Sequence, residues 1–97
     1  MKFAAVIEYI DDTAKVAEHR SAHRVYLTGL IESNQLAVAG PFLDDFGALI
    51  VYEAADVAGA EALLKADPFH VAGIFARWTI RPWKTVFGNP GLLPPNG

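Results

Sequence analysis

The apolar residues of this chain switch between the spacing of a strand and the spacing of a helix, and the order of those switches limits the folds open to it. Residues 2–10 alternate loosely and are rich in Phe, Val, Ile and Tyr, which predicts a strand. Residues 13–33 follow a helical period that ends at Asn34. The apolar runs 35–42 and 47–54 flank a few turn residues and predict a hairpin.

The second half of the chain again passes from a helix to a strand. Asp56 can cap a second helix, and the pair Asp67-Pro68 predicts its end, because a residue before proline avoids the helical conformation. Residues 74–83 alternate between two different faces, which predicts a fourth strand. Residues 84–97 hold three prolines and three glycines, so we expect an irregular tail that packs on another surface, such as a partner subunit, or stays disordered.

The resulting order, βαββαβ, predicts an α+β fold of the ferredoxin-like type. In that fold a four-stranded antiparallel sheet carries both helices on one face. The other face is left bare, and strands two and three are apolar at nearly every position, which suits a sheet that is buried on both sides. We therefore expect two sheets to pack face to face in a homodimer.

Composition supports an oligomer and excludes several classes of partner. Hydrophobic residues make up 53% of the 97 residues and charged residues only 20%, an apolar excess that suits a subunit interface. The net charge of −3 argues against nucleic acid as a partner. No segment is apolar enough for a membrane helix, and the N-terminal run, which is broken by Glu8, does not resemble a signal peptide. We expect a cytoplasmic protein.

Two cations interrupt the inward stripe of the first helix. The stripe consists of Val16, Arg20, His23, Leu27 and Leu30, which fall within about 40° of one line on a helical wheel. A polar group at a core position lowers the stability of the fold unless it has a hydrogen-bonding partner or serves a function. Arg20 and His23 are therefore candidates for a functional site.

Four motifs give the chain a resemblance to a known family. They are Arg20-x-x-His23-x-x-Tyr26-Leu27, Ala39-Gly40-Pro41-Phe42, Asp67-Pro68-Phe69 and Ile80-Arg81-Pro82-Trp83. Over residues 1–83 the chain resembles the YCII-related (YciI-like) family. The resemblance implies a ferredoxin-like domain over those residues, which dimerises into an α+β barrel, and a histidine–aspartate pair in a cleft. Carried onto this sequence, that pair is His23 and Asp67.

The chemistry of such a pair points to proton transfer. Histidine gains and loses a proton near neutral pH, and an aspartate that accepts a hydrogen bond from one ring nitrogen leaves the other nitrogen for the substrate. Cysteine is absent and Ser21 lies off the stripe, so no nucleophile accompanies the pair. From spacing alone, a structural hydrogen bond between His23 and Asp67 is the alternative.

The candidate ligand-binding residues each have a structural alternative. Arg20 can hold a substrate anion or form a bridge to Glu8 or Asp67. Gly40 and Pro41 end the second strand, where a ligand or merely a neighbouring strand comes close to the backbone.

Aromatic residues can wall a pocket or belong to the core or the dimer contact. Phe69 is our candidate for substrate binding, and Phe42, Trp78 and Trp83 are open to the same two interpretations. His70 is expected near the rim of the cleft.

A metal site is the weaker interpretation of the histidines. His19 and His23 stand four residues apart, as two metal ligands on one helix face do. Arg20 stands beside them, however, and no third ligand is evident apart from Asp67 or His70. We expect neither a metal nor another cofactor.

Two functional hypotheses follow from these residues. The first is a small cofactor-independent enzyme of lyase or isomerase type, in which His23 moves a proton on an enolisable or cyclic metabolite and Asp67 orients it. The second is a non-catalytic module that binds a small molecule in the same cleft. A rate that depends on the protonation of a histidine distinguishes the first from the second.

Overall fold

The computed structural model describes residues 1–93 and confirms the predicted order of strands and helices, with one short helix added. The elements are β1 (Lys2–Tyr9), α1 (Thr13–Glu32), β2 (Leu36–Pro41), β3 (Gly47–Glu53), α2 (Val57–Lys65), α3 (Pro68–Val71) and β4 (Phe75–Trp83). The addition is α3, a helix of four residues in the segment that separates the second predicted helix from the last strand.

The four strands form one antiparallel sheet in the order β2-β3-β1-β4. The chain therefore has the predicted α+β, ferredoxin-like fold, in which β3 separates β1 from β2 and β1 separates β3 from β4. The register places Val6 opposite Leu49 and Ile7 opposite Ala48. Neighbouring positions on a strand point to opposite faces, so these two pairs belong to different sides of the sheet.

Helix α1 is defined by caps at both ends. The Asp12 side chain accepts a hydrogen bond from the Lys15 backbone N–H at 3.0 Å, which satisfies one of the free donors of the first turn. The helix ends before Asn34, whose φ of 61° is a left-handed conformation that asparagine tolerates and that stops a helix. The face between these caps buries Val16, His23 and Leu30.

The segment after α2 differs from the prediction. Asp67 was expected to close the second helix, but α2 ends at Lys65 and Asp67 is the N-cap of α3. Pro68 takes the first position of α3, where a proline lacks only an N–H that would have no partner in any case. The proline thus starts a helix, whereas α2 has already ended before Asp67.

A glycine lets β3 pass close to β1. A Cβ atom on Gly47 would lie 2.2 Å from the carbonyl oxygen of Ile7, which is much less than a non-bonded contact distance. Only a residue without a side chain fits at this position unless the backbone shifts. Gly47 therefore helps to hold the start of β3 in register.

The core lies between the helices and one face of the sheet, and the opposite face is largely exposed. The core includes Ile7, Ile50, Leu64 and Ile74. On the other face Val6, Leu49 and Val38 are 46%, 39% and 41% exposed. In the single chain, β2 is an edge strand in which only Leu36 is buried, so burial of that strand on both sides stays a prediction for the dimer.

The predicted tail has no helix or strand in residues 84–93. Its apolar side chains Val86, Phe87 and Leu92 are exposed, Phe87 by 94%. The last part of the predicted tail, residues 94–97, lies outside the described residues. Across residues 1–93, none of the helices has the length and apolar character needed to cross a membrane.

Candidate functional site

The side chain of His23, on the inward face of α1, contacts the carboxylate of Asp67. The Nδ1 atom of His23 lies 2.8 Å from Oδ1 and 2.9 Å from Oδ2 of Asp67. An imidazole nitrogen placed against two carboxylate oxygens carries the hydrogen, so Nδ1–H is the donor and Nε2 is the nitrogen left for other partners. His23 is 8% exposed and Asp67 is fully buried.

Helix α3 fixes the carboxylate of Asp67. Its Oδ1 also accepts a hydrogen bond of 2.9 Å from the backbone N–H of Phe69. This bond is the cap of α3, and it holds the Asp67 side chain in one orientation. The aspartate is therefore positioned by the backbone that follows it, as well as by the histidine.

The Phe69 side chain fixes the plane of the imidazole. The rings of Phe69 and His23 are stacked, with centroids 3.9 Å apart and planes that differ by 3°. The imidazole is thereby held on one face by a ring and at one edge by a carboxylate. The Nε2 atom makes no hydrogen bond within residues 1–93, and it is not among their fully enclosed polar atoms, so it reaches open space.

That open space is a cavity of about 420 Å³ between α1 and the β2–β3 part of the sheet. His23 lines it together with all four predicted binding residues, which are Arg20, Gly40, Pro41 and Phe69. Asp67 does not line it and lies behind the imidazole. The volume of the cavity falls within the range usual for small-molecule sites.

Two guanidinium groups stand at this cavity without an acidic partner. The structural alternative for Arg20 was a bridge to Glu8 or Asp67. Glu8 instead accepts from Arg77 at 2.6 Å, and Asp67 is engaged by His23. Within residues 1–93 neither Arg20 nor Arg24 forms an ion pair. The α1 side of the cavity therefore carries two guanidinium groups without an ion-pair partner, and the carboxylate of Asp45 also lines the cavity.

Close packing against a neighbouring strand does not require a glycine at position 40. A Cβ atom added at Gly40 would meet nothing within 4 Å. Of the two interpretations of this glycine, close approach by another strand has no support in the described chain. Its backbone forms part of the cavity wall.

The other histidines and aromatic residues that the sequence analysis named as candidates lie away from the cavity wall. His19 is 3.9 Å from Glu18, and His70 packs against Trp78 with ring centroids 5.3 Å apart. Phe42 and Trp83 are partly exposed and line no part of this cavity. In the described part of the chain, no group of three or more His, Cys, Asp or Glu side chains could hold a metal ion.

Sequence reasoning missed three residues with polar side-chain groups that line the cavity, Tyr9, Arg24 and Asp45. Arg24 had a signal, because it follows Arg20 by four residues and so lies on the same side of α1. No signal in the sequence indicated Tyr9, since it occupies an ordinary inward position of the predicted first strand. Asp45 belongs to the hairpin turn, and only the folded hairpin brings it to the cavity.

Comparisons with known proteins agree with this architecture. The model of the YCII-related domain family matches residues 1–84. No curated protein matches the chain. Among solved structures, the chain is similar to 5-chloro-2-hydroxyhydroquinone dehydrochlorinase (TftG) from Burkholderia phenoliruptrix AC1100 in complex with 2,5-dihydroxybenzoquinone, with a TM-score of 0.75 and 26% identity. The match covers 87% of this chain and 94% of that chain.

Proposed function

The chain belongs to the YCII-related family, and from that premise we propose that it is a small enzyme that needs no cofactor and transfers a proton on a small cyclic or enolisable metabolite. One observation carries the proposal. The Nδ1 atom of His23 is held by a buried carboxylate while Nε2 reaches the cavity. This is the arrangement in which a histidine takes a proton and returns it.

In the proposed reaction, His23 Nε2 accepts a proton from a hydroxyl or an acidic C–H of the substrate. The electron pair left behind either shifts a double bond, after which the imidazolium returns the proton to another carbon, or expels a leaving group as an anion from a neighbouring carbon. Asp67 stabilises the imidazolium that forms, because it already accepts the hydrogen bond from Nδ1. The first outcome is an isomerisation and the second is an elimination, so the reaction class is isomerase or lyase.

The similarity to a dehydrochlorinase supports the elimination. That protein is named for a chlorinated hydroxyhydroquinone, and its structure holds 2,5-dihydroxybenzoquinone. We propose that this chain also acts on a hydroxylated ring of similar size. Phe69 offers a flat wall for such a ring, and Arg20 offers a charge for a developing oxyanion.

Turnover of a panel of chlorinated and unchlorinated hydroxyhydroquinones tests the proposal. The panel is followed by chloride release and by the absorbance of quinone products. His23→Ala and Asp67→Asn should each abolish most turnover, and the double variant should be no worse than His23→Ala, because Asp67 acts only through His23. His19→Ala is the matched control, since His19 lies one turn away on α1 and does not line the cavity.

The outcomes separate the two functional hypotheses. Turnover that falls with the His23 and Asp67 variants and not with His19→Ala supports the enzyme. Binding of a panel member without turnover by the wild-type protein supports the non-catalytic binding module. Turnover that survives His23→Ala contradicts the assignment of His23.

We further propose that two copies form a homodimer through the exposed face of the sheet. Val6, Leu49 and Val38 place apolar surface on that face, which no part of residues 1–93 fully covers. Light scattering should give twice the chain mass of 10.5 kDa. Val6→Lys should yield a monomer, whereas Val57→Lys, which adds the same charge to an exposed position of α2, should leave the dimer intact. A wild-type monomer would contradict this proposal.

The tail is a second candidate contact in that dimer. Val86 and Phe87 are exposed in the single chain although they are apolar. We propose that they cover part of the partner subunit. Truncation after Lys84 should then weaken dimerisation in a dilution series, and an unchanged dissociation constant would leave the tail without this role.

A further inference from the structure

Tyr9 places a phenol ring beside the aromatic contacts that hold His23. It is the last residue of β1 and lines the cavity. Its ring meets Phe69 edge to face at 5.5 Å and stacks on Phe75 at 5.9 Å. The ring is therefore fixed from two sides, and the position of its hydroxyl group is fixed with it.

The hydroxyl group of Tyr9 has no partner in the described chain. It makes no hydrogen bond to any atom of residues 1–93. Nor is it enclosed, because within those residues Tyr52 alone carries a fully buried side-chain polar atom without a partner. The Tyr9 hydroxyl group is thus available to a ligand. Tyr9 lines two cavities, and the one that it shares with Arg20, His23 and Phe69 is where such a ligand can accept from it.

Two opposite charges act on this hydroxyl group. Burial raises the pKa of Tyr9 to about 12, the negative charge of Asp67 adds to the rise, and the positive charge of Arg20 opposes it. Near neutral pH the group is therefore a neutral O–H donor. Arg20 has no acidic partner within residues 1–93, so its charge is available to an anion at the same place.

We infer that Tyr9 donates a hydrogen bond to a phenolate or enolate oxygen of the ligand, beside the guanidinium group of Arg20. Tyr9 is then a substrate-binding residue that selects planar molecules with such an oxygen. A neutral donor next to a cation favours the ionised form of the ligand over its protonated form. The inference rests on the proposed function in taking the same cavity as the ligand site, and it adds the class of the substrate.

Equilibrium binding of 4-nitrophenol tests this inference without any turnover. Its phenol and phenolate forms absorb at different wavelengths, so one titration reports both affinity and ionisation. The matched neutral probe is 4-nitroanisole, whose oxygen is methylated and cannot ionise. The protein variant is Tyr9→Phe, which keeps the ring contacts with Phe69 and Phe75 and removes only an oxygen that has no partner in residues 1–93.

Tyr26→Phe is the matched control variant. The Tyr26 hydroxyl group donates to the backbone oxygen of Leu63 at 2.6 Å, and its residue does not line the cavity. This variant loses a tyrosine oxygen of equal size from a structural position. It should bind both probes as the wild-type protein does.

Wild-type protein should bind 4-nitrophenolate and lower the pH at which the bound probe ionises. Tyr9→Phe should weaken phenolate binding by about tenfold or more, the usual effect of losing a hydrogen bond to a charged group. The same variant should raise the ionisation pH of the bound probe towards its value in water. Binding of 4-nitroanisole should not change.

Three results would overturn the inference: phenolate affinity that Tyr9→Phe leaves unchanged, wild-type protein that binds 4-nitroanisole as tightly as 4-nitrophenolate, or no binding of 4-nitrophenolate at all. The first two use separate protein samples, so a variant that folds poorly does not remove the test. If the wild-type protein shows turnover but Tyr9→Phe binds 4-nitrophenolate as tightly as the wild-type protein does, this inference alone is defeated. If Tyr9→Phe weakens phenolate binding but the wild-type protein shows no turnover, the proposed enzyme alone is defeated.

Discussion

The imidazole of His23 lies flat against the ring of Phe69, with centroids 3.9 Å apart and planes that differ by 3°. The backbone N–H of the same phenylalanine donates to the Asp67 carboxylate, which in turn accepts from the imidazole. The short helix α3 therefore fixes the plane of the His23 ring and the nitrogen through which the ring donates its hydrogen bond. In the proposed reaction, such a ring needs little reorganisation when it contacts the substrate.

This arrangement predicts an order of stability among substitutions at Asp67. Asp67→Ala removes the acceptor for two buried donors, on His23 and on Phe69, and should lower the free energy of unfolding by about 3 kcal/mol or more. Asp67→Asn keeps one acceptor oxygen and should cost less. Urea unfolding at neutral pH measures both. Equal losses from the two substitutions would mean that hydrogen bonding to the Asp67 oxygens is not what stabilises α3.

A second prediction concerns the buried hydroxyl group of Tyr52, which has no partner in the described chain. Tyr52 is fully buried, so this oxygen has lost its contacts with water without a protein acceptor or donor in return. Tyr52→Phe should raise the free energy of unfolding by about 1 kcal/mol. Tyr26→Phe should lower it by a similar amount, because it removes the hydrogen bond to Leu63. A less stable Tyr52→Phe variant would indicate a bound water at this oxygen.

Much of the fold could be predicted from the sequence because each long element has a clear period. The helical stripe of α1 and the alternation of β4 extend over many residues, and the order of the elements then leaves few topologies. Helix α3 could not be found in this way, since four residues are too few to show a period. Pro68 was interpreted as the end of a helix, whereas a proline also suits the first position of one.

The site was only partly predictable. His23 stood out as a polar residue in an apolar stripe, and the family resemblance supplied Asp67. Their catalytic role remains a prediction. Tyr9 was missed because the alternating pattern of a strand does not show which of the inward-facing residues lies beside a cavity. That depends on the sheet register and on the packing of α3, which places Phe69 against Tyr9.

A third prediction compares two glycines of the β2–β3 hairpin. Gly47→Ala should lower the free energy of unfolding by about 1 to 3 kcal/mol, because the new Cβ atom would lie against the Ile7 carbonyl oxygen. Gly40→Ala is the matched control, since a Cβ atom there meets nothing within 4 Å, and it should change stability by much less. Thermal unfolding of both variants measures the difference. Equal effects would contradict the close approach of β3 to β1.

The fourth prediction is a loss of stability in alkali that Tyr9 helps to cause. The pKa of Tyr9 rises from 10.0 to about 12 on folding, chiefly because burial disfavours the charged phenolate. Below pH 10 the group is protonated in both states, and its contribution to stability is fully present. As the pH rises from 10 to about 12, the unfolded chain loses this proton before the folded chain does. The free energy of unfolding should then fall by roughly 1.4 kcal/mol per pH unit from this residue.

Tyr9→Phe isolates that contribution, because phenylalanine cannot ionise. In urea unfolding on both sides of pH 10, the variant should match the wild-type protein at the lower pH and become the more stable of the two above it. Tyr26→Phe should change in the same direction over this interval, since burial also raises the pKa of Tyr26, but it should start from a lower stability because it lacks the hydrogen bond to Leu63. Parallel curves for the wild-type protein and Tyr9→Phe would mean that the Tyr9 hydroxyl group is as accessible to water as in the unfolded chain, which would also weaken its assignment as a fixed donor in the cavity.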